Sequence, residues 1–586
     1  MKVALIGAEL EENLGLRYMA SSLERRGHSA FIIPYNEEAD MPAVIRQVMD
    51  TAPDIAGLSM VFTGRAREFC RLAISLRAKG FKGHLTAGGH FAALNCRKVL
   101  TDYPVFDSIA LGEGEELICE LAEHLDDISG VAGFCLRGMD GAITVNPSRG
   151  NPEDLDALPF PRRDSFHEYY GKPIASILSS RGCWRSCAFC SIDAWYRSGG
   201  GRKFRVRGIP NIVAEMKDLY HNHGVRIFNF QDDNFFLPDP RKALARFTEL
   251  RDSLRAEGVQ KIAIAVKARP DSINRDSLTV LDDLGIFRVF LGVENASERG
   301  LANLNRKCSR EAIETALRTL NDFDVHIAYN LLMFEPDTIM DDILINLRFM
   351  ERHIDNPFNF CRAEAYAATG LERKLKKDRI LTGDYFGFDY RIKDPQVERF
   401  HKIANYAFFD RNFNDYGLHY FNMEVDFSFQ LLRRFHPELL SEELRSDVRS
   451  FIKETNIDTH RCLSRIYDLV QTIDPEDKEA LRIAMKSMRV RVDNGGVELR
   501  GRGERILQRL RRTWEAQKPE LSMGNGFGTD IGLPISGGGS VPYAGIESLS
   551  RQEFDPVRHG LFGISGAPVP YGEFSRMLEL ERQERK

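Results

Sequence analysis

The chain has 586 residues, 43% of them hydrophobic and 10% aromatic, enough to fill about three or four ordinary domain cores and too apolar for disorder throughout. Its 80 Lys and Arg against 85 Asp and Glu leave a net charge of −5, so no basic field exists to bind nucleic acid by charge alone. Mean hydropathy is −0.32, and the absence of any run of about 18 apolar residues excludes a membrane-spanning helix.

The opening MKVALIGAELEEN has a short apolar stretch followed by acids, without the pattern of a signal peptide, which predicts a cytoplasmic protein. From residue 1 to about 130 the chain alternates apolar runs (2–7, 30–34, 54–62, 83–88, 108–111) with amphipathic helical patterns. That alternation predicts a doubly wound parallel sheet of α/β class, whose ligands sit beyond the carboxyl ends of the strands. Those ends carry Thr63-Gly64-Arg65, Gly88-Gly89-His90 and Gly112-Glu113-Gly114, where small residues let backbone approach a flat ligand or simply make tight turns. No G-x-G-x-x-G follows the first strand, and Glu9 and Glu11 stand where a pyrophosphate would sit. A nicotinamide dinucleotide is therefore disfavoured.

Residues 131–170 form a connector with a hairpin signal around Met139-Asp140-Gly141. Ten cysteines are too dilute for a disulfide scaffold, and seven of them are scattered. The other three stand together in Arg181-Gly-Cys183-Trp-Arg-Ser-Cys187-Ala-Phe-Cys190, a C-x3-C-x2-C pattern after an apolar run. Three thiolates from one loop fit a four-iron, four-sulfur cluster with one iron left open, which can chelate an amine and a carboxylate. Zinc is the rival metal and would ask for a fourth ligand, with His167, His221 and His223 the candidates by chain position.

Beyond the cysteines, apolar runs at 173–179, 226–231, 261–267, 288–293, 326–334 and 359–366 alternate with helical patterns, which predicts a parallel barrel wall over residues 171–370. Polar clusters end several of these strands: Asp232-Asp233-Asn234, Lys267 with Arg269, and Gly292-Val293-Glu294-Asn295, followed by Arg306. Such charges at a barrel mouth are either ligand-binding or an internal salt-bridge network, for example Asp232 or Glu294 with Arg269 or Arg306. Residues 371–586 read as mainly helical. Their aromatic-rich part, 385–429, is either helix packing or a substrate cap over the barrel mouth, and a Gly- and Ser-rich stretch at 524–545 reads as a linker or lid.

The three-cysteine loop with Phe189 before its last cysteine resembles the radical S-adenosylmethionine (SAM) superfamily, in which that loop follows the first strand of a partial (β/α)6 barrel. A doubly wound domain placed before such a barrel resembles the cobalamin-binding radical SAM enzymes, called class B when they methylate. The pieces that carry this are Asn13-Leu-Gly-Leu-Arg-Tyr-Met-Ala-Ser21, Gly27-His28, Ala87-Gly-Gly-His90, Leu111-Gly-Glu-Gly-Glu115 and Asp154-Leu-Asp-Ala-Leu-Pro-Phe-Pro-Arg162, in the family's order. The resemblance implies a [4Fe-4S] cluster on Cys183, Cys187 and Cys190, and SAM held by Phe189, Asp232, Asp233, Lys267, Glu294 and Arg306. It implies cobalamin held by Leu14, Gly15, Thr63, Gly64, Arg65, Gly88, Gly89, His90, Gly112 and Glu113. The D-x-H-x-x-G motif is missing, so the expected cofactor is base-off cobalamin without a histidine lower ligand, with Arg65 facing the lower side of cobalt. Arg65 paired with Glu68 or a corrin amide is the other reading.

The activity this implies is methylation of an unactivated centre of a small molecule or natural-product precursor, with a small molecule or peptide as substrate partner and electrons from a donor such as flavodoxin or ferredoxin. The alternatives are ring contraction or oxidative cyclisation without methyl transfer, and a non-catalytic cobalamin and cluster sensor. A methylthiotransferase would need further cluster cysteines in the first domain, and Cys70, Cys96 and Cys119 are not placed for that.

Overall fold

The computed structural model describes residues 1–515 apart from 11, 139, 414–416, 475 and 476. Glu11, Met139, Tyr416 and the 524–545 stretch therefore lie outside the described residues. No helix among the described residues is long and apolar enough to cross a membrane.

The first sheet is built from β1 (Lys2–Gly7), β2 (Ser29–Pro34), β3 (Ile55–Ser59), β4 (His84–Gly88), β5 (Ser108–Ala110), β6 (Phe134–Arg137) and β7 (Ile143–Val145), in spatial order 2-1-3-4-5-6-7. The first five are parallel, and the order reverses at β1, which creates the crevice where doubly wound sheets take their ligands. Val3, Ala4, Leu5 and Ile6 are all buried, as a parallel strand covered on both faces requires. The helix Leu14–Arg25 starts where the Asn13 side chain accepts a hydrogen bond from the Leu16 N–H. The expected hairpin of the connector forms as β6 and β7 but pairs antiparallel to β5, so it extends the first sheet.

The second sheet starts with β8 (His167–Tyr169), antiparallel to β9 (Lys172–Ile177). A two-stranded ribbon follows, β10 (Ser180–Arg181) with β11 (Arg205–Val206). Then come β12 (Ile227–Phe230), β13 (Ala263–Ala268), β14 (Ile286–Glu294), β15 (His326–Phe334) and β16 (Phe358–Arg362). The order 9-12-13-14-15-16 is parallel throughout with helices between, an open six-stranded barrel.

The helices Pro395–Phe413, Leu418–Phe435, Glu442–Thr472 and Lys478–Glu515 complete the described chain. Leu418–Phe435 seals the amino-terminal ends of the strands: Phe427 meets Phe287 at 5.2 Å and Tyr169 at 5.3 Å, in a cluster that includes Ile227 and Ala263. Pro395–Phe413 packs beside the last two strands, with Phe400 on Phe334 and Phe408 on Phe360. These aromatics pack the bottom and flank of the barrel rather than covering its mouth. Tyr385 and Phe386, in the hairpin of β17 (Leu381–Asp384) and β18 (Gly387–Tyr390), instead stack on Phe91 of the first domain.

Candidate functional site

The loop that carries the cysteines starts at the carboxyl end of β9 and is pinned by the end of β12. Asp232 is fully buried and accepts hydrogen bonds from the Ser179 N–H at 3.0 Å, the Ser179 hydroxyl at 2.6 Å and the Ser180 hydroxyl at 2.5 Å. Its carboxylate is consumed in holding the loop, and it is not paired with Arg269. Asp233 accepts from the Gly182 N–H at 3.1 Å, and burial pushes its carboxyl up to about 6. Downstream, the Ala188 N–H donates to the Leu304 carbonyl and the Leu371 N–H to the Ala188 carbonyl, so the loop is also clamped by the end of the helix Glu298–Asn303 and the start of the helix Gly370–Lys377. Gly370 lies against it too: a Cβ there would stand 3.2 Å from the Ala188 Cα.

The donor chemistry of this loop fits an anionic cluster. Cys183, Cys187 and Cys190 lie within electrostatic reach of one another. Arg306 Nη1 lies 3.3 Å and Arg269 Nη1 3.7 Å from Cys187 Sγ, cations that favour charged sulfur. The zinc alternative finds no fourth ligand: His221 contacts the Glu257 carbonyl at 2.9 Å on another surface, and His167 and His223 are exposed. Among the described residues no three or more His, Cys, Asp or Glu side chains are spaced for a single ion.

Around the loop the barrel mouth gathers the expected polar residues. Lys267 Nζ lies 3.5 Å from the Gln231 carbonyl. Glu294 closes β14 in the left-handed region at φ +66°, a strained setting for a non-glycine residue, and faces Arg306 at 3.9 Å. Arg306 also donates to the Gly292 carbonyl, so the sequence alternative of an internal pair holds for Glu294 and Arg306 in this geometry. Phe189 is partly buried against the barrel core. The reading of the sequence missed Glu364 and Tyr366, just past β16. The Tyr366 hydroxyl bonds to Glu364, whose Oε1 is buried with no partner, and burial pushes that carboxyl up to about 8. Tyr366 is also within electrostatic reach of Cys190.

A cavity of about 320 Å³ lies between the first domain and one edge of this mouth, which it meets at Gln231 and Asp233. One wall is the carboxyl edge of the first sheet and includes Gly15, Val61, Gly88, Gly89, His90, Gly112 and Glu113; the other includes Arg181, Trp195, Tyr196 and Asp233 from the barrel. Gly89 has φ +92° and a Cβ there would stand 3.0 Å from Met60 backbone, while Gly112 turns at φ +105°. His90 and Trp195 meet across the domain boundary at 4.5 Å with their rings tilted by 38°, and His90 Nε2 and Trp195 Nε1 are buried without partners. Burial holds His90 neutral, with its pKa lowered to about 4. Unpaired buried polar atoms in the wall of a largely apolar cavity fit the amide-rimmed, otherwise apolar corrin.

Four of the residues read from the sequence for this wall do not line it: Leu14, Thr63, Gly64 and Arg65. Arg65 is the clear correction. Thr63–Arg65 forms a 3-10 turn that folds its guanidinium inward, 3.0 Å from Glu68 Oε2 and 3.0 Å from the Tyr35 carbonyl. The loop presents Val61 instead. Glu113 borders the cavity, but its carboxylate is bound by Arg181 at 3.0 Å and by Arg205. Glu9, read as repelling phosphate, pairs with Arg17 at 2.7 Å.

Comparison with known proteins agrees with this architecture. The family model "B12 binding domain" matches residues 6–122 and "Radical SAM superfamily" matches residues 177–347. An uncharacterized methyltransferase of Pyrococcus horikoshii is 23% identical over 398 residues, 66% of this chain and 83% of that protein. The anaerobic magnesium-protoporphyrin IX monomethyl ester cyclase of Synechocystis sp. is 28% identical over 299 residues, 46% of this chain; the match spans 58% of that cyclase. Among solved structures, the cobalamin-dependent SAM radical enzyme OxsB, with aqua-cobalamin and SAM bound, superposes at a TM-score of 0.62 with 17% identity, over 90% of this chain and 82% of that one. The fold and the site thus define an α/β protein that sets a B12-binding domain before a radical SAM barrel. The chain resembles the cobalamin-binding radical SAM enzymes in carrying matches to both of their domains, in that order.

Proposed function

We propose that this protein is a cobalamin-dependent radical SAM methyltransferase acting on an unactivated centre of a small molecule or peptide. The observation that carries the reading is the shared cavity: Asp233 borders it and holds the Gly182 N–H next to Cys183, while Gly88, Gly89 and Gly112 border it from the first domain. When bound, the cluster with SAM would supply a 5′-deoxyadenosyl radical and cobalamin a transferable methyl group.

The chain's own residues position and shield that chemistry. Cys183, Cys187 and Cys190 would hold the cluster, with Arg306 and Arg269 neutralising sulfur charge. Phe189, Asp233, Lys267 and Glu294 stand at the mouth where SAM would lie, and Asp232 acts through the loop it fixes. Gly15, Gly88, Gly89, His90 and Gly112 would cradle the corrin, joined by Trp195 and Tyr196. Glu364 and Tyr366 are the mouth groups left to meet a hydroxyl or amine of the substrate. Base-off binding without a histidine lower ligand is supported by the loop after β3, which turns Val61 toward the cavity, and by His28, which sits near Met1 at the opposite end of the sheet. An electron donor such as flavodoxin or ferredoxin belongs to the same proposal.

The cyclase relative supports a second reading, rearrangement without methyl transfer. Anaerobic reconstitution with iron, sulfide and hydroxocobalamin, followed by SAM and dithionite, separates the two. S-adenosylhomocysteine accompanying 5′-deoxyadenosine supports methyl transfer; 5′-deoxyadenosine alone supports the second reading. Neither product would overturn both and leave a binding protein.

A further inference from the structure

The Gly-Glu-Gly-Glu segment of the first domain carries two acids whose partners lie on the barrel side of the cavity. Glu113 precedes the helix Gly114–Glu123 and Glu115 lies in its first turn. Arg181 donates to Glu113 at 3.0 Å and to Glu115 at 2.6 Å, and Arg205 donates to Glu113 through both terminal nitrogens. The side chains are almost wholly withdrawn from water, 3% exposed for Glu113, 2% for Arg205 and 10% for Arg181. The two arginines face each other in register across β10 and β11, so one ribbon presents both cations to one carboxylate. Arg181 also lies 5.0 Å over the ring of Tyr18, on the first helix of the corrin side.

Position gives this cluster its meaning. Arg181 stands two residues before Cys183, at the root of the cluster loop. On the other side, Gly112, Glu113 and Gly114 border the cavity where a corrin would rest. A buried, multiply bonded charge group cannot give way a little: it is made, or it leaves a charge stranded. Displacement of the Gly112–Gly114 turn is thereby passed to the ribbon that starts the cysteine loop.

We propose that Glu113 is a positioning residue that couples the two cofactor sites, so that cobalamin and the iron–sulfur cluster bind cooperatively. The inference rests on the reading of the two sites given above and adds an energetic link between them. Linkage requires the effect to be reciprocal: a formed cluster tightens cobalamin binding by the factor by which cobalamin stabilises the cluster.

The test is anaerobic equilibrium dialysis of hydroxocobalamin against full-length protein with and without its cluster, for wild type, Glu113→Gln and Arg205→Gln, with circular dichroism to confirm folding. Wild type is expected to bind hydroxocobalamin on the order of tenfold more tightly with the cluster present, and both variants to lose that ratio to within about twofold. As a second readout, added hydroxocobalamin should change the electron paramagnetic resonance signal of the reduced cluster in wild type and leave it unchanged in Glu113→Gln. A wild-type ratio near one overturns the proposal even if neither variant folds, and so does a ratio that survives in a folded variant. Failure of wild type to bind either cofactor would instead overturn the functional reading itself.

Discussion

The two ends of the barrel are made from the same six strands and spend their residues in opposite ways. At the carboxyl end the strands finish in Asp233, Lys267 and Glu294, with strained backbone at Glu294 and, at Glu364, one buried carboxylate oxygen without a partner. At the amino end the helix Leu418–Phe435 drives Phe427 between Tyr169 and Phe287, and Leu418, Phe421 and Phe429 join the same cluster. One end gathers buried polar groups, and the other is closed by aromatic packing. The barrel can tolerate strain and desolvated charge at its mouth because its floor is sealed independently.

That division can be broken from either side. The largest effect is expected at the mouth: replacing Cys183, Cys187 and Cys190 together by alanine should reduce iron and sulfide content to background and remove the broad visible absorption, with the fold retained by circular dichroism. At the floor, Phe427→Ala should destabilise the protein by about 3–5 kcal/mol in denaturant unfolding, as large aromatic deletions from packed cores do. Cluster and cobalamin content measured under folding conditions should stay unchanged. If Phe427→Ala selectively lost a cofactor while remaining folded, the two ends would not be separable.

Glu424, on the same sealing helix, sharpens the comparison with a pH dependence. Burial raises its carboxyl from the usual 4.5 to about 7, with the Ser428 hydroxyl donating to it at 2.9 Å. The folded state therefore holds this proton more tightly than the unfolded one. Its cost is absent below pH 4.5, grows as pH rises and is complete above about 7. Glu424→Gln should unfold like wild type near pH 4.5 and gain up to about 3 kcal/mol by pH 8, because each tenfold difference in proton affinity between the folded and unfolded states is worth ~1.4 kcal/mol. Parallel pH curves for the two proteins would show that the carboxyl is not held protonated.

How far the sequence reveals this arrangement depends on the range of each interaction. Both parallel sheets are legible because buried strands are short apolar runs between amphipathic helices, and the cysteine loop because its three thiols lie within eight residues. The first sheet's two antiparallel strands read as a separate hairpin, since pairing with β5 leaves no local mark. Arg65 shows a sharper limit: its loop is recognisable, but only the inward fold of Thr63–Arg65 decides that it meets Glu68 and Tyr35. Arg181 and Arg205 find Glu113 from 68 and 92 residues away, a distance at which no spacing rule operates. The aromatic run at 385–429 left helix packing and a cap over the mouth both open, because its composition does not say which end of the barrel it meets.

The smallest predicted effect sits at the boundary between the domains. Trp195 meets His90 and also brings a buried, unpartnered Nε1–H to the cavity. If that donor meets a corrin amide, Trp195→Phe keeps most of the contact area and removes a single hydrogen bond. A neutral hydrogen bond contributes about 1 kcal/mol net, so hydroxocobalamin should bind roughly five- to tenfold more weakly. Cluster content and thermal stability without cobalamin should not change, because Nε1 has no protein partner to lose. Equal affinity in the two proteins would place the ring as packing alone and shift the corrin contacts toward the glycine edge of the first sheet. Weaker binding accompanied by a lower melting temperature without cobalamin would trace the loss to the domain boundary rather than to the missing donor.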